Sequence, residues 1–159
     1  MKMVLVLGTN IGDRLRNLND ALESLVRLPN TRIINKSFIY ETEPYGYKAQ
    51  DDFLNMAVEI ETDFSPETVL GAALGIEAAL GRVRLFKNGP RCIDIDVLLA
   101  ENYTANTPNL CVPHPEILNR SFVLQPLMDL FPTGFAYGFS FAAAYSAMPM
   151  TDIRRYKSE

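Results

Sequence analysis

The sequence has few of the residues that build disulfide scaffolds or metal clusters. Its 159 residues include two cysteines, one histidine and no tryptophan. Cys92 and Cys111 are too few for a disulfide scaffold and lack Cys-x-x-Cys spacing, so we expect reduced thiols in a cytoplasmic protein. The hydrophobic runs are shorter than the roughly 20 residues that span a bilayer. We therefore expect no membrane contact.

The chain also lacks an excess of positive charge. Its formal net charge is −4, which excludes a broad basic surface for DNA or RNA, and we expect no nucleic-acid partner. The apolar run before Gly8 is too short for a secretory signal. With 48% hydrophobic residues, the chain can build one core. We expect a single domain over residues 1–159, acting as a monomer on small molecules.

The most informative stretch is 89–99, which alternates between two carboxylates and apolar residues. Asp94 and Asp96 fall on one side of the predicted strand, opposite Ile93, Ile95, Val97 and Leu99. Two residues along a strand advance about 6.6–6.8 Å, and such a pair can hold two divalent cations between them, since two-metal sites place the ions about 3.5–4 Å apart. Arg91, three residues before Asp94, adds a cation that a nucleotide triphosphate would need. The alternative is a strand with charges on its solvent face.

The order of predicted elements indicates a mixed α+β fold. Strands are predicted over residues 3–7, 31–40, 53–62 and 93–99. Helices are predicted after residue 14, with Asn10 or Asp13 as cap, and after Ser65. This βαββαβ order is typical of a ferredoxin-like antiparallel sheet with both helices on one face. The other face is left for ligands and a C-terminal extension.

Further candidates flank the carboxylate strand. The run at residues 81–91 holds Arg82, Arg84 and Lys87, and its adjacency to the two acids favours phosphate chemistry over a solvated charge run. Asn55 beside Phe53 could read the edge of a flat heterocycle while the ring stacks on it. Ordinary edge hydrogen bonds are the alternative for Asn55.

The last third holds a compact segment at residues 112–127. His114 lies between two prolines, and Arg120 is a further candidate phosphate ligand. A lone histidine is more often structural than catalytic. Residues 132–159 stay unassigned.

Five blocks together resemble a known family. Residues 7–14, 40–44 with 53–55, 81–84, 89–96, and 113–115 with 119–122 resemble the 6-hydroxymethyl-7,8-dihydropterin pyrophosphokinases of folate biosynthesis. The resemblance spans about residues 3–131. It implies Mg-dependent transfer of diphosphate from ATP to the hydroxymethyl group of the pterin, which leaves AMP.

The resemblance also implies roles for individual residues. Asp94 and Asp96 would hold two magnesium ions, while Arg82 and Arg91 would steady the transferring phosphates. ATP contacts are implied for Glu77, Arg82, Arg84, Arg91, Val97, His114 and Arg120. Pterin contacts are implied for Thr42, Pro44, Tyr45, Phe53, Asn55, Asp94 and Phe122, with the ring stacked between Phe53 and Phe122.

Three positions depart from the family pattern. Asn88 stands where many relatives have Trp, Asn109 where a cation is often found, and Leu74 where a polar residue can reach ATP. From Asn88 we expect looser closure of the loop before Gly89-Pro90-Arg91, and from Asn109 and Leu74 we expect weaker ATP binding. Two other classes remain open: a ferredoxin-like binding module without turnover and a two-metal phosphohydrolase.

Overall fold

A mixed sheet-and-helix structure is formed by the residues that the computed structural model describes, which are 1–44, 46–81 and 89–157. Its first two thirds contain five strands and two long helices: β1 (Lys2–Thr9), α1 (Arg14–Val26), β2 (Thr31–Lys36), β3 (Tyr40–Thr42), β4 (Phe53–Thr62), α2 (Pro66–Ala79) and β5 (Asp94–Ala100). The last third adds β6 (Ala105–Asn106), β7 (Cys111–Val112), a 3₁₀ turn (Ile117–Asn119), α3 (Ser121–Leu130), β8 (Phe135–Ala136), β9 (Phe139–Ser140), α4 (Ala142–Ala147) and β10 (Ile153–Arg155). None of these helices is long and apolar enough to cross a bilayer.

The main sheet has six strands with antiparallel pairing throughout. Its order is β10-β3-β4-β1-β5, and β2 also pairs with β4. The central strand β1 is apolar and buried along almost its whole length, because its two faces cover two different cores.

Helices cover both faces of the sheet. On one face, Leu18, Ala21 and Leu25 of α1 and Val69 of α2 pack on alternate residues of β1 and β4. On the other face, α3 packs on the remaining residues of the same strands, such as Val4, Val6 and Ala57. The predicted α+β class is confirmed, and α1 and α2 share one face as expected.

The predicted strand at residues 31–40 is wrong as one element, because it is divided into β2 and β3. Ser37 causes the break. Its backbone N–H donates to the Ala57 carbonyl at 2.9 Å, and its hydroxyl accepts from the Ala57 N–H at 2.9 Å. The side chain thereby replaces a backbone acceptor of the ladder, and the chain leaves the regular register at this point.

Of the unassigned residues 132–159, those that the structure describes, up to residue 157, fold as well. They form the β8–β9 hairpin, α4 and the edge strand β10, which pairs with β3. The C-terminal extension is therefore part of the main sheet.

Candidate active site

A cavity lies on the α3 face of the sheet. Its floor is the ends of β1, β4 and β5, and its wall is the start of α3. The lining residues are Val6, Leu7, Gly8, Thr42, Glu43, Phe53, Asn55, Arg91, Asp94, Asp96, Arg120 and Phe122. Most of the residues predicted for the site therefore meet in one cavity.

Strand register brings the polar floor together. Gly8 pairs with Asn55 of β4 on one side and with Asp94 of β5 on the other. Paired residues of neighbouring strands point to the same face, so the amide and the carboxylate flank a position that has no side chain. A Cβ on Gly8 would lie 2.7 Å from Asn55 Oδ1. Only glycine leaves room there for the buried amide.

Arg91 and Asp94 form an ion pair within the cavity. Arg91 Nη1 donates to Asp94 Oδ2 at 2.8 Å, and the guanidinium carbon lies 5.4 Å from the Phe53 ring centroid. The short i, i+3 spacing from Arg91 to Asp94, directly after Gly89-Pro90, makes this contact possible. The pair holds a guanidinium between the acidic and aromatic parts of the cavity.

Asp96 lies in an environment that disfavours its ionised form. Burial raises its pKa to about 7, and the negative charges of Asp94 and Glu77 act in the same direction, against smaller opposing effects of Arg120 and Arg91. A bound cation would relieve this repulsion. Within the described ranges, no group of three or more His, Cys, Asp or Glu side chains is placed to hold a metal ion. Two carboxylates still fit Mg²⁺, which usually takes its other ligands from substrate phosphates and water.

The opposite part of the cavity is aromatic. Asn55, only 5% exposed, donates from Nδ2 to Thr42 Oγ1 at 2.7 Å, which fixes the orientation of its amide. Phe53 and Phe122 line the same space, and the Arg120 guanidinium lies 5.5 Å from the Phe122 ring centroid. A flat polar heterocycle suits such a surface.

His114 lies beside the cavity and is held in its neutral form. Burial lowers its pKa, and the nearby positive charge of Arg120 lowers it further. Its Nδ1 accepts from the Glu116 N–H at 3.1 Å, which places the ring proton on Nε2. The ring can therefore donate a hydrogen bond without carrying charge.

The remaining predicted residues have different positions. Glu77 is buried on α2, near enough to raise the pKa of Asp96, and Val97 is packed in the α1–α2 core. Pro44 is buried beside the cavity residue Glu43. None of these three lines the cavity. Tyr45, Arg82, Arg84 and Asn88 lie outside the described residues.

Sequence reasoning missed Asn10 as a site residue. It is 3% exposed, and its Nδ2 donates to Gln50 Oε1 and to the Asp51 carbonyl, both at 2.9 Å. Its Oδ1 accepts from the Arg91 N–H at 2.9 Å. Asp13, instead, caps α1. The signal for this role was weak, because an asparagine in a strand-to-helix loop is also typical of a cap.

Comparisons with known proteins agree with this geometry. Residues 4–132 match the model of the family described as 7,8-dihydro-6-hydroxymethylpterin-pyrophosphokinase (HPPK). The 2-amino-4-hydroxy-6-hydroxymethyldihydropteridine pyrophosphokinase of Methylorubrum extorquens is 42% identical over 149 residues, which cover 94% of each chain. The Bacillus subtilis protein of the same name is 44% identical over 126 residues, 79% of this chain and 75% of that protein.

Longer proteins contain a similar segment. Folic acid synthesis protein fol1 of Schizosaccharomyces pombe is 42% identical over 125 residues, which make up 79% of this chain but 17% of fol1. A solved HPPK-DHPS structure in complex with substrates shares the fold at a TM-score of 0.69 and 18% identity, covering 92% of this chain and 43% of that one. A Plasmodium falciparum HPPK-DHPS triple mutant with pteroate also gives a TM-score of 0.69, at 16% identity, over 97% of this chain and 46% of its own length.

The family match, the two relatives above 40% identity and the arrangement of the cavity agree with one another. This chain therefore belongs to the 7,8-dihydro-6-hydroxymethylpterin-pyrophosphokinase family.

Proposed function

We propose that the chain transfers the β,γ-diphosphate of ATP to the hydroxymethyl oxygen of 6-hydroxymethyl-7,8-dihydropterin, giving AMP and the pterin diphosphate for folate biosynthesis. As a member of its family, the chain is a diphosphotransferase with ATP as co-substrate. One observation carries the assignment of the site: paired carboxylates, two arginines and two aromatic rings line a single cavity.

In this proposal, Asp94 and Asp96 hold two magnesium ions together with the phosphates of ATP. Magnesium bound there would neutralise the charge of the transferring phosphates. The raised pKa of Asp96 supports a cation at this position, because burial and the negative charges of Asp94 and Glu77 disfavour its ionised form, which a bound cation would favour. The side of the cavity near these acids is thus the reacting end.

Arginines of this chain supply the remaining charge. Diphosphate transfer depends on positioning and on charge neutralisation rather than on covalent help from the protein. Arg91 is already held over the cavity by Asp94, and Arg120 lines its far wall. Both are placed to bind phosphate oxygens, with Arg82 and Arg84 assigned the same role by resemblance.

We expect Arg82→Ala to slow single-turnover chemistry more than it weakens substrate binding.

The pterin occupies the aromatic end in this proposal. Phe53 and Phe122 stack on its two faces, and Asn55 with Thr42 takes its hydrogen-bonding edge. The Asn55–Thr42 hydrogen bond supports this role, because it fixes the amide before the ligand arrives. Pro44 and Tyr45 belong to the adjoining segment and complete the pterin contacts.

The nucleotide lies toward His114 in this proposal, with Glu77 and Val97 on the same side. His114 would donate from Nε2 to a phosphate oxygen, which fits the neutral tautomer.

We also propose a cytoplasmic, monomeric enzyme with a ferredoxin-like core. The antiparallel order β2-β4-β1-β5 supports that topology.

An AMP assay tests the function directly. The chain is incubated with Mg²⁺ and ATP, with and without 6-hydroxymethyl-7,8-dihydropterin, and AMP and inorganic phosphate are measured. We expect AMP only with the pterin. Pterin-independent phosphate release would indicate a hydrolase, and binding of both ligands without AMP would indicate a binding module; either result would contradict the proposal.

A further inference from the structure

We infer that the C-terminal residues 152–156 act as a positioning strap for the pterin end of the cavity, with Asp152 as the residue that joins its wall to its rim. This inference rests on the proposed placement of the pterin between Phe53 and Phe122. The strap lies beyond residue 132, where the family match ends.

The strap is paired with β3 along its whole length. Ile153, Arg154 and Arg155 pair with residues 42, 41 and 40 of β3. Backbone hydrogen bonds extend this pairing at both ends, from the Glu43 N–H to the Asp152 carbonyl at 3.1 Å and from the Tyr156 N–H to the Ile39 carbonyl at 2.8 Å. Since Thr42 and Glu43 both line the cavity, the strap supports the backbone that forms its rim.

Asp152 makes a second connection, to the start of α3. The Ser121 hydroxyl donates to both carboxylate oxygens of Asp152, with distances of 2.9 Å to Oδ1 and 3.1 Å to Oδ2. Ser121 is 5% exposed and lies between Arg120 and Phe122, which line the opposite wall. One residue thus holds the rim through its main chain and the aromatic wall through its side chain.

Arg154 adds a third connection. Its Nη2 donates to Glu41 Oε1 at 2.7 Å and to Asp52 Oδ2 at 3.0 Å. Glu41 precedes the segment 43–52 and Asp52 ends it, so one guanidinium fixes both ends of the segment that carries Pro44. Arg154 is more than half exposed, and exposed ion pairs contribute little each. Asp152 is therefore the stronger test.

The test uses Asp152→Ala, which removes the carboxylate but keeps the strap's backbone pairing. We expect the Kd for the pterin to rise about tenfold, the size expected when a hydrogen bond to a charged group is lost. We expect the Kd for a non-hydrolysable ATP analogue to change less than twofold. The Arg120 carbonyl remains held by the Val123 and Leu124 N–H groups of the first helical turn, so the ATP side keeps its support.

Three further variants separate positioning from a general loss of structure. Asp152→Asn keeps an acceptor for the Ser121 hydroxyl and should stay within threefold of the original pterin affinity. Thr151→Ala, at the exposed preceding residue, should change nothing. Ser121→Ala removes the same hydrogen bond from the other side, so combining it with Asp152→Ala should cost no more than either change alone.

Titration of the unsubstituted chain separates this inference from the proposed function. If that chain does not bind the pterin, the proposed function fails. If it binds and both Asp152→Ala and Ser121→Ala bind equally well, the strap inference is overturned while the function stands. Parallel losses of pterin and ATP affinity would also overturn it. Should Asp152→Ala not fold, Ser121→Ala alone decides between these outcomes.

Discussion

At the scale of single residues, the cavity holds polar and charged side chains whose placement depends on particular neighbours. Asn55 fits because Gly8 opposite it has no Cβ. Asp94 is accompanied by Arg91, whereas burial and nearby acids disfavour the ionised form of Asp96. In the proposed function, these features serve to bind a cation and a polyanion rather than to stabilise the fold.

Phe122 gives a residue-scale test of the pterin end. We expect Phe122→Ala to weaken pterin binding about tenfold or more, since stacking of a flat base on an aromatic ring contributes about 1–3 kcal/mol. ATP-analogue affinity should remain within about twofold. Separate fluorescence or calorimetric titrations of the two ligands measure both values. The matched control is Phe135→Ala on β8, which removes a 54% exposed ring. Equal losses of both ligands would count against the assignment.

His114 gives a test of protonation. Its pKa is lowered by burial and by Arg120 in the folded chain, while in the unfolded chain it has its ordinary value of about 6.5. As pH falls below that value, protons bind the unfolded state first, so stability present at neutral pH is lost. Urea unfolding without substrates at pH 8 and pH 5 measures this loss. We expect the unsubstituted chain to lose more stability than His114→Gln, and identical pH profiles would refute the neutral assignment.

At the scale of elements, two loops meet through one side chain. Asn10 joins the segment 43–52, through Gln50 and Asp51, to the turn that ends in Arg91. The Asn10 N–H also donates to the Arg91 carbonyl at 3.0 Å. Residues 50–51 and the turn that ends in Arg91 therefore share one buried support at the end of β1.

We expect Asn10→Ala to lower both stability and turnover. The change leaves the Arg91 N–H and the Asp51 carbonyl without their partner, which costs about 1–3 kcal/mol in unfolding free energy. Turnover should fall more than tenfold at saturating substrates, because the Arg91 N–H loses its side-chain acceptor and only the backbone bond from the Asn10 N–H to the Arg91 carbonyl remains. Urea unfolding and a steady-state AMP assay provide the two values. Asn19→Ala on the exposed face of α1 is the control and should change neither; an Asn10 variant with full turnover would contradict the coupling.

Local sequence patterns predicted part of these elements and missed others for physical reasons. The alternation at residues 93–99 placed Asp94 and Asp96 on one face of β5, because side-chain direction in a strand depends only on parity. The break between β2 and β3 was missed, since it depends on the Ser37 hydroxyl meeting Ala57, twenty residues away. Asn10 was missed for the same reason: its partners are about 40 and 80 residues distant.

At the scale of the whole molecule, one sheet separates two apolar cores, and the cavity opens on the α3 face. The α+β class followed from the order of elements. The contribution of β10 did not, because a three-residue edge strand has little sequence signal and its partner β3 lies more than 100 residues earlier. The C-terminal segment thus pairs with β3 beside a cavity whose lining residues come from the first four fifths of the chain.

Metal removal tests this arrangement as a whole. Since the proposal has the ions held together with the phosphates of ATP, chelation by EDTA should abolish pterin-dependent AMP formation while leaving the urea midpoint of the ligand-free chain unchanged. Restoring Mg²⁺ should restore activity. A midpoint that falls with EDTA would instead indicate a structural metal and contradict the assigned role of the acids.

The pairing of Asp94 and Asp96 around two cations is the central claim, and counting bound ions tests it most directly. Mn²⁺ is titrated, with detection by electron paramagnetic resonance, in the presence of the pterin and a non-hydrolysable ATP analogue. We expect two ions per chain, and fewer than two in Asp94→Asn and in Asp96→Asn. The control is Asp63→Asn, which changes an exposed acid directly after the last residue of β4 and should still bind two ions. Two ions bound with unchanged affinity in both Asp94→Asn and Asp96→Asn would contradict the central claim.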